Sequence, residues 1–202
     1  ISSNSILKAI TSGMIATMPL TLGTFLIAII VSLPIEGWQL WINETGIIND
    51  MQAVAGGTTE ILSIFLVICI SYQYAKIKDL NGLSASVMSL GFFLILIPQK
   101  IIGTDGTTIN AFSKDYIGSM GIFVSLLTAI LVSVLYSWLT KKGLVIKLPD
   151  SVPTYVSEAF SPAFISIIIF SLAFVIRVLF RLTTYDNIFN FTQEIITAPI
   201  MG

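Results

Sequence analysis

The sequence predicts an all-α integral membrane protein: a bundle of about five transmembrane helices followed by a C-terminal amphipathic helix on the membrane interface. Five apolar stretches lie between Ile10 and Leu182, and each is long enough, or nearly long enough, to cross a bilayer. A helix needs about 20 apolar residues to cross about 30 Å of hydrocarbon. The composition agrees, because 55% of the residues are hydrophobic, only 10% are charged and the mean hydropathy is +0.93. Soluble domains carry about 25% charged residues.

The first span is predicted over residues 13–33. Pro19 lies inside it and lacks the backbone N–H of a helical hydrogen bond, so we expect a kink between Ala16 and Pro19. Trp38 and Trp41 follow, three residues apart and beside polar residues. This arrangement is typical of aromatic side chains at the membrane interface.

The second and third spans each contain a feature that conflicts with a simple crossing. The second, residues 53–75, contains Glu60, whose charged form is costly at membrane depth unless it is paired or hydrated. Glu60 is either a functional carboxylate or one that lies near the interface. The third span, residues 83–97, stops early at Pro98, which indicates a short, tilted or partly re-entrant helix. The polar residues 103–115 predict an exposed turn.

The fourth and fifth spans are predicted over residues 117–139 and 162–182. Arg177 and Arg181 lie one helical turn apart near the end of the fifth span. They either extend towards the phosphates of lipid headgroups or form a site for an anionic substrate. In residues 183–202, apolar side chains alternate with Asn, Gln and Glu. This pattern is typical of an amphipathic helix that lies on the membrane.

The positions of the basic residues predict the orientation of the bundle, because cytoplasmic loops are enriched in Lys and Arg. If the N-terminus is cytoplasmic, six of the ten basic residues lie inside and four outside. The inside set is Lys8, Lys76, Lys78, Lys141, Lys142 and Lys147, and the outside set is Lys100, Lys114, Arg177 and Arg181. We therefore expect a multi-pass membrane protein with a cytoplasmic N-terminus.

The chain lacks the residue combinations that enzymes, metal sites and nucleic-acid surfaces require. It has no histidine, the commonest metal ligand and general base, and its single cysteine, Cys69, lies in an apolar run. The net charge is −1, and no basic cluster follows the pattern of nucleic-acid binders. We expect no catalytic residue, no metal and no cofactor. Glu60 and Arg177 are weak candidates for substrate contact.

The segment between the fourth and fifth spans is the least ordinary part of the chain. Residues 146–153 read Ile-Lys-Leu-Pro-Asp-Ser-Val-Pro, and Val156, Ala159 and Phe160 follow. This segment resembles the signature loop of the membrane-embedded IIC component of bacterial sugar phosphotransferase systems, lactose/cellobiose (diacetylchitobiose) family. Residues 13–19, 74–76, 81–85 and 116–123 are similar to other parts of that family, in the expected order. The cytoplasmic signature loop comprises Lys147, Pro149, Asp150, Ser151, Val152 and Pro153.

The resemblance implies the N-terminal half of a permease. Residues 1–182 would form a five-helix scaffold and dimerisation domain, and residues 183–202 an amphipathic helix leading to a second, substrate domain outside this chain. The family's sugar-contacting histidine and glutamate belong to that second half, so neither can be assigned to a position here. Both ends of the chain, which does not begin with Met, are typical of a piece of a longer reading frame.

The resemblance also implies a function and partners. The function would be uptake and coupled phosphorylation of a β-linked disaccharide such as cellobiose, lactose or diacetylchitobiose. A cytoplasmic IIB subunit would supply the phosphoryl group from a phosphocysteine. The other implied partners are membrane lipid, a second copy of the chain and the second half of the permease, through which alone the sugar would be bound.

Other classes of function remain open at this point. A complete small membrane protein without a transport site, such as an assembly or immunity factor, would also fit a five-span chain. A small channel or carrier of another class would need polar residues on several spans, and the sequence offers only Glu60 and the arginines near a helix end. A membrane enzyme is disfavoured, because paired carboxylates and serine–base combinations are missing from the spans.

Overall fold

The structure is a computed structural model that describes residues 2–103, 105–144 and 162–197. Within these ranges the regular secondary structure is helical apart from one pair of two-residue strands, and the predicted all-α membrane fold is confirmed. The helical segments in these ranges that are long and apolar enough to span a membrane are Asn4–Val31, Ile47–Ile77, Ser119–Lys141 and Ala163–Arg181. A shorter apolar helix covers Gly82–Leu96.

The first apolar segment consists of two helices joined at Thr17, α1 (Ser2–Ala16) and α2 (Met18–Val31). Pro19 cannot donate the backbone hydrogen bond that a continuous helix would make at this point. The predicted kink is therefore confirmed. The predicted start at residue 13 is wrong, because the polar residues before it are already helical.

Two shorter helices follow α2: α3 (Glu36–Glu44) and α4 (Ile47–Gly56). The Trp38 Nε1 donates to the carbonyl of Ile30 (2.9 Å). The Gln39 Nε2 donates to the carbonyls of Val31 and Leu33 (both 2.8 Å). Carbonyls at a helix C-terminus lack intrahelical partners, so these side chains fix the turn from α2 into α3. We call residues 18–56, which contain α2 to α4, the arm.

The second span, predicted over residues 53–75, lies within the apolar helical segment Ile47–Ile77, but the structure interrupts this segment, which the sequence did not predict. Helix α4 ends before Gly57, and a 3₁₀ turn, Thr59–Ile61, leads into α5 (Leu62–Ile77). Thr58 has a non-helical backbone at this break (φ −131°, ψ −88°). The apolar character of the flanking residues hides the interruption, because a hydropathy average does not report backbone geometry.

Helix α6 (Gly82–Leu96) confirms the predicted short third span. The Asn81 side chain caps its start by accepting a hydrogen bond from a backbone N–H of the first turn (3.0 Å). Beyond Pro98, β1 (Ile101–Ile102) pairs antiparallel with β2 (Thr108–Ile109). The predicted exposed turn therefore contains a short hairpin.

The remaining helices repeat the interrupted pattern of the second span. A short helix, α7 (Lys114–Ile117), and a 3₁₀ turn lead into α8 (Ile122–Lys141), and α9 (Ala163–Arg181) is the fifth span. The tail forms α10 (Ile188–Thr192) and then a π-helical turn. The predicted amphipathic tail helix is thus short within the described residues, and its Phe189 is fully buried.

Helices α1, α5, α6, α8 and α9 form one bundle, in which α5 packs against α1, α6 and α8. Phe189 of α10 closes one end of the core, with its ring 5.7 Å from the ring of Phe93 and 5.1 Å from that of Tyr116. The core consists of fully buried apolar side chains from the spanning helices, among them Val67, Ile70, Phe92, Phe93, Val124, Val132, Ile165 and Ile169.

Candidate functional site

Two helix breaks lie side by side at one end of the bundle, and Glu60 takes part in the contacts between them. The Lys114 Nζ lies 2.8 Å from the Glu60 Oε2, and the Ser63 hydroxyl donates to the carbonyl of Gly118 (2.5 Å). The side chains of Lys114 and Glu60 are 64% and 50% exposed. Glu60 is therefore a half-exposed carboxylate that is paired with a lysine 54 positions away.

Arg177, near the end of α9, lies against the end of α6. Its Nη1 donates to the carbonyls of Ile95 (2.5 Å) and Ile97 (2.6 Å). The chain leaves the helix at Pro98, so amides of a following turn do not reach these carbonyls. The guanidinium thus caps α6, and its positive charge lies where the helix dipole is negative.

A groove beside Arg177 lies at the ends of α6 and α9, and we call it the Arg177 groove. Pro98, Arg177 and Asp186 line both of its parts. The narrower part has a volume of about 90 Å³ and is also lined by Leu96, Phe180, Arg181, Asn187 and Ile188. The wider part has a volume of about 730 Å³ and is also lined by Gln99, Lys100, Asn110, Ala111 and Phe112.

The two candidate residues predicted from the sequence, Glu60 and Arg177, have different partners in the structure. Within the described ranges, Glu60 is paired with Lys114, and Arg177 is bonded to the carbonyls that end α6. Arg177 and Arg181, in contrast, line the same narrow part of the groove. Whether Glu60 or Arg177 contacts a substrate stays a prediction.

Sequence reasoning missed Asp186 and Asn187 in the wall of the groove. The Asn187 side chain accepts hydrogen bonds from the N–H groups of Phe189 (3.0 Å) and Asn190 (2.9 Å) and so starts α10. Asp186 before it has a left-handed backbone (φ 63°). An Asn immediately before an apolar–polar run is a known start signal for a helix and could have located this corner.

The opposite end of the bundle carries a group of lysines that we call the lysine end. The Lys78 Nζ donates to the Ser5 hydroxyl (3.1 Å), which joins the start of α1 to the end of α5. The Lys142 Nζ lies 4.0 Å from the centre of the Trp138 ring, and the Lys76 Nζ lies 5.6 Å from that of Tyr72. The lysine end comprises Lys8, Lys76, Lys78, Lys141 and Lys142.

Polar side chains inside the bundle mostly serve helix packing. The Ser86 hydroxyl bonds to the carbonyls of Gly82 (2.9 Å) in its own helix and Ile68 (3.0 Å) in α5. The Ser71 hydroxyl bonds to the carbonyl of Val67 within its own helix (2.6 Å). Small hydroxyl residues allow membrane helices to approach closely. In the part of the chain that the structure describes, no group of three His, Cys, Asp or Glu side chains could hold a metal ion.

One carboxylate outside the spans has a perturbed pKa. The Thr107 hydroxyl (2.7 Å) and the Thr107 backbone N–H (3.0 Å) both donate to Asp105 Oδ1. These two hydrogen bonds favour the charged form and lower the pKa of Asp105. Since Asp105 is fully exposed, the effect stabilises the local turn of the hairpin and creates no reactive group.

The signature loop, with Lys147, Pro149, Asp150, Ser151, Val152 and Pro153, lies outside the described residues. The ends of its two neighbouring helices are described. Helix α8 ends at Lys141, at the lysine end, and α9 begins at Ala163.

Comparison with known proteins finds one family along nearly the whole chain. The family model described as "Phosphotransferase system, EIIC" matches residues 11–201. The galactose-specific EIIC component of the phosphotransferase system of Lactococcus lactis subsp. cremoris is 36% identical over 217 residues, covering 100% of this chain and 48% of the relative. The cellobiose-specific EIIC component of Geobacillus stearothermophilus is 27% identical, covering 96% and 45%.

A solved structure has the same fold. The transporter ChbC, the IIC component of the N,N'-diacetylchitobiose-specific phosphotransferase system, matches with a TM-score of 0.90 at 25% sequence identity. The match covers 97% of this chain and 48% of ChbC. The chain therefore spans about half the length of the relatives that it matches.

Proposed function

The chain belongs to the phosphotransferase system EIIC family, and from this premise we propose that it is the N-terminal scaffold half of a sugar permease. In this proposal the five-helix bundle is a fixed frame, and a second half holds and moves the sugar. The observation that carries the proposal is the likeness to ChbC, which extends over 97% of this chain but only 48% of that transporter.

The contacts of the candidate residues support a frame without a sugar site. Glu60 is engaged by Lys114, and Arg177 is engaged by the end of α6. The Ser63 and Ser86 hydroxyls, which bond across helices, do so to backbone carbonyls. These groups stabilise the frame, and we expect the sugar to be contacted by the second half.

We propose that the transported sugar is a β-linked disaccharide such as cellobiose, lactose or diacetylchitobiose. The support is the names of the relatives, which include cellobiose-specific and lactose-specific components and the diacetylchitobiose transporter. The relative with 36% identity is named galactose-specific, so a galactoside is a second candidate.

A binding and complementation experiment tests the half-permease proposal. Calorimetry with cellobiose, lactose and diacetylchitobiose should give no binding heat for this chain alone. Co-expression with the second half of the Lactococcus lactis relative should restore sugar uptake to cells that lack their own permease. Sugar binding by the chain alone, with no requirement for a second half, would contradict the proposal.

For the orientation, we propose that the lysine end faces the cytoplasm, together with the N-terminus. The support is the enrichment of basic residues on the cytoplasmic side of membrane proteins. The lysine end is reached by the start of α1 and by the ends of α5 and α8. In a Cys69→Ala background, a cysteine at Leu144 should resist an impermeant thiol reagent in intact cells, whereas one at Thr107 should react. The reverse labelling pattern would invert the topology.

We propose that a cytoplasmic IIB subunit approaches the lysine end and the adjoining signature loop. Among the relatives are lactose-specific EIICB components from staphylococci, and a phosphorylated IIB partner would be attracted by a basic surface. Replacing Lys141 and Lys142 together by Gln should slow phosphorylation of the sugar by the assembled system and leave sugar binding unchanged. The matched variant Lys100→Gln, at the other end, should slow neither step.

We also propose that the chain forms a homodimer in the membrane, with the arm in the contact. Leu22, Phe25 and Leu26 of α2 are 61%, 61% and 62% exposed in the monomer. Leu26→Ser should shift the chain towards monomer in analytical ultracentrifugation in detergent. Leu179→Ser, at a similarly exposed position of α9 (57%), should not. A monomeric wild-type chain at all detergent ratios would contradict the dimer.

A further inference from the structure

We propose that the Arg177 groove is a binding site for an anionic phospholipid, with the lipid phosphate held by Arg177 and Arg181. The inference uses the membrane location of the chain and is independent of the half-permease and sugar proposals. The inference starts from the Arg177 guanidinium, which lies partly buried between α6 and α9 and donates its recorded hydrogen bonds from one nitrogen.

Arg177 makes both of its hydrogen bonds through a single nitrogen. The Nη1 donates to the carbonyls of Ile95 and Ile97. A guanidinium has five N–H groups, of which Nη1 carries two. The structure records no acceptor in the described ranges for the remaining three, on Nη2 and Nε. The bonds to α6 thus hold the group in one orientation and leave its other edge available to a ligand.

Among the described residues, no carboxylate forms an ion pair with Arg177. Within the described residues, the recorded ion pair is the one between Lys114 and Glu60. Carbonyl oxygens carry only partial charge, and a helix C-terminus contributes about half an elementary charge. A partly buried cation at the end of a spanning helix is costly unless an anion or water accompanies it. The site therefore favours an anionic ligand.

The surroundings of Arg177 strengthen this preference. Arg181 follows one turn later on α9 and lines the narrow part of the groove, and Lys100 lines the wide part. Asp186 is the single carboxylate that lines the groove among the described residues. Three cations and one carboxylate leave a net charge of +2. Planar guanidinium groups also match the geometry of phosphate oxygens.

The walls of the groove indicate a lipid rather than a small soluble anion. Leu96, Phe180 and Ile188 line its narrow part beside the two arginines. Leu179 and Leu182, at the same end of α9, are 57% and 76% exposed. Arg177 precedes the end of α9 by four residues, or about 6 Å along the helix axis, so both arginines lie in the last turn of a spanning helix. An acyl chain could follow these apolar side chains while the phosphate contacts the arginines.

Native mass spectrometry of the detergent-purified chain tests the proposal. Phosphatidylglycerol should remain bound at concentrations at which phosphatidylcholine does not. Arg181→Gln and Lys100→Gln are the informative variants, because neither side chain makes a recorded hydrogen bond in the described chain. Arg181→Gln should weaken the phosphatidylglycerol complex about fivefold, since a basic residue near an anionic lipid contributes about 1 kcal/mol. Lys100→Gln, at the wider part, should weaken it less.

Two controls make the result decisive. Lys141→Gln removes one exposed positive charge at the lysine end and should change phosphatidylglycerol binding less than about twofold. Glycerol phosphate, the soluble counterpart of the headgroup, should not displace the lipid at millimolar concentration. Equal losses for Lys141→Gln and Arg181→Gln would mean diffuse attraction and overturn the site. Full displacement by glycerol phosphate would assign the groove to soluble anions and overturn the lipid proposal.

Discussion

The bundle and the arm are built from similarly apolar sequence, yet their side chains have different surroundings. In the bundle, Ile70, Phe93 and Val132 are completely buried. In the arm, Leu22 and Phe25 are 61% exposed. Apolar sequence places both regions in the membrane, because lipid solvates an apolar side chain as well as a neighbouring helix does. Apolar character therefore predicts where a helix lies, and close packing decides which helices form a rigid unit.

The two regions also differ in how they are held. The bundle brings backbones together at small residues such as Gly13, which lies against the backbone of Ile70. The arm is joined to the break before α5 by a hydrogen bond between the Thr24 and Thr58 hydroxyls (2.7 Å). Regions with few buried contacts open at lower free energy than a packed core. We expect the arm to open before the bundle does.

The largest expected difference between the regions follows from removing one aromatic ring in each. Phe93→Ala should destabilise the protein by about 3 kcal/mol, because it leaves a cavity beside the buried Phe189 ring. Phe25→Ala in the arm should change the stability of the monomer by less than about 0.5 kcal/mol, because its ring is 61% exposed there. Reversible unfolding in mixed micelles measures both values. Equal losses at the two positions would show that the arm is packed like the bundle.

The next difference concerns two glycines in consecutive helices. A Cβ at Gly13 would lie 2.4 Å from Ile70 Cγ1 and 2.7 Å from its Cα, whereas a Cβ at Gly23 would meet no atom within 4 Å. Gly13→Ala should therefore cost about 1–3 kcal/mol through overpacking of α1 on α5. Gly23→Ala should stabilise α2 by up to about 1 kcal/mol through its helix propensity. Thermal unfolding in detergent distinguishes the two signs.

A smaller effect should follow from cutting the link between arm and bundle. Thr24→Val removes the hydroxyl that meets Thr58, whereas Thr21→Val removes one that bonds only within its own helix. An interhelical hydrogen bond in a membrane protein contributes about 0.6 kcal/mol. Hydrogen exchange of the α4 amides should accelerate about threefold in Thr24→Val and remain unchanged in Thr21→Val. Identical rates in both variants would contradict the link.

The same comparison explains what could be predicted from the sequence. The apolar spans, the kink at Pro19 and the short α6 before Pro98 depend on local composition and on the missing proline N–H, so they were accessible. The break before α5 depends on backbone geometry within an apolar run and was missed. The bounds of α1 were also missed, because its first residues are polar but helical.

The candidate site was less accessible because its contacts are long-range. Glu60 meets Lys114 across 54 positions, and Arg177 meets Ile97 across 80. One sequence identifies a charged residue in an apolar run but not its partner. Hence Glu60 and Arg177 could be singled out, while the helix-capping role of Arg177 required the fold. The sequence also does not show which small residues allow close packing, since Gly13 and Gly23 differ only in what lies opposite them.

The smallest expected effect concerns the ion pair between the two helix breaks, which lies just beyond the end of the arm. Because Lys114 and Glu60 are 64% and 50% exposed, water and salt screen their attraction. A double-mutant cycle with Glu60→Gln and Lys114→Met should give a coupling of about 0.5 kcal/mol or less, which falls further as salt is raised. A coupling above about 1 kcal/mol that persists at high salt would mean that the pair is shielded from solvent in the membrane. The helix break that joins the arm to α5 would then be held as firmly as the bundle, which would contradict the predicted earlier opening of the arm.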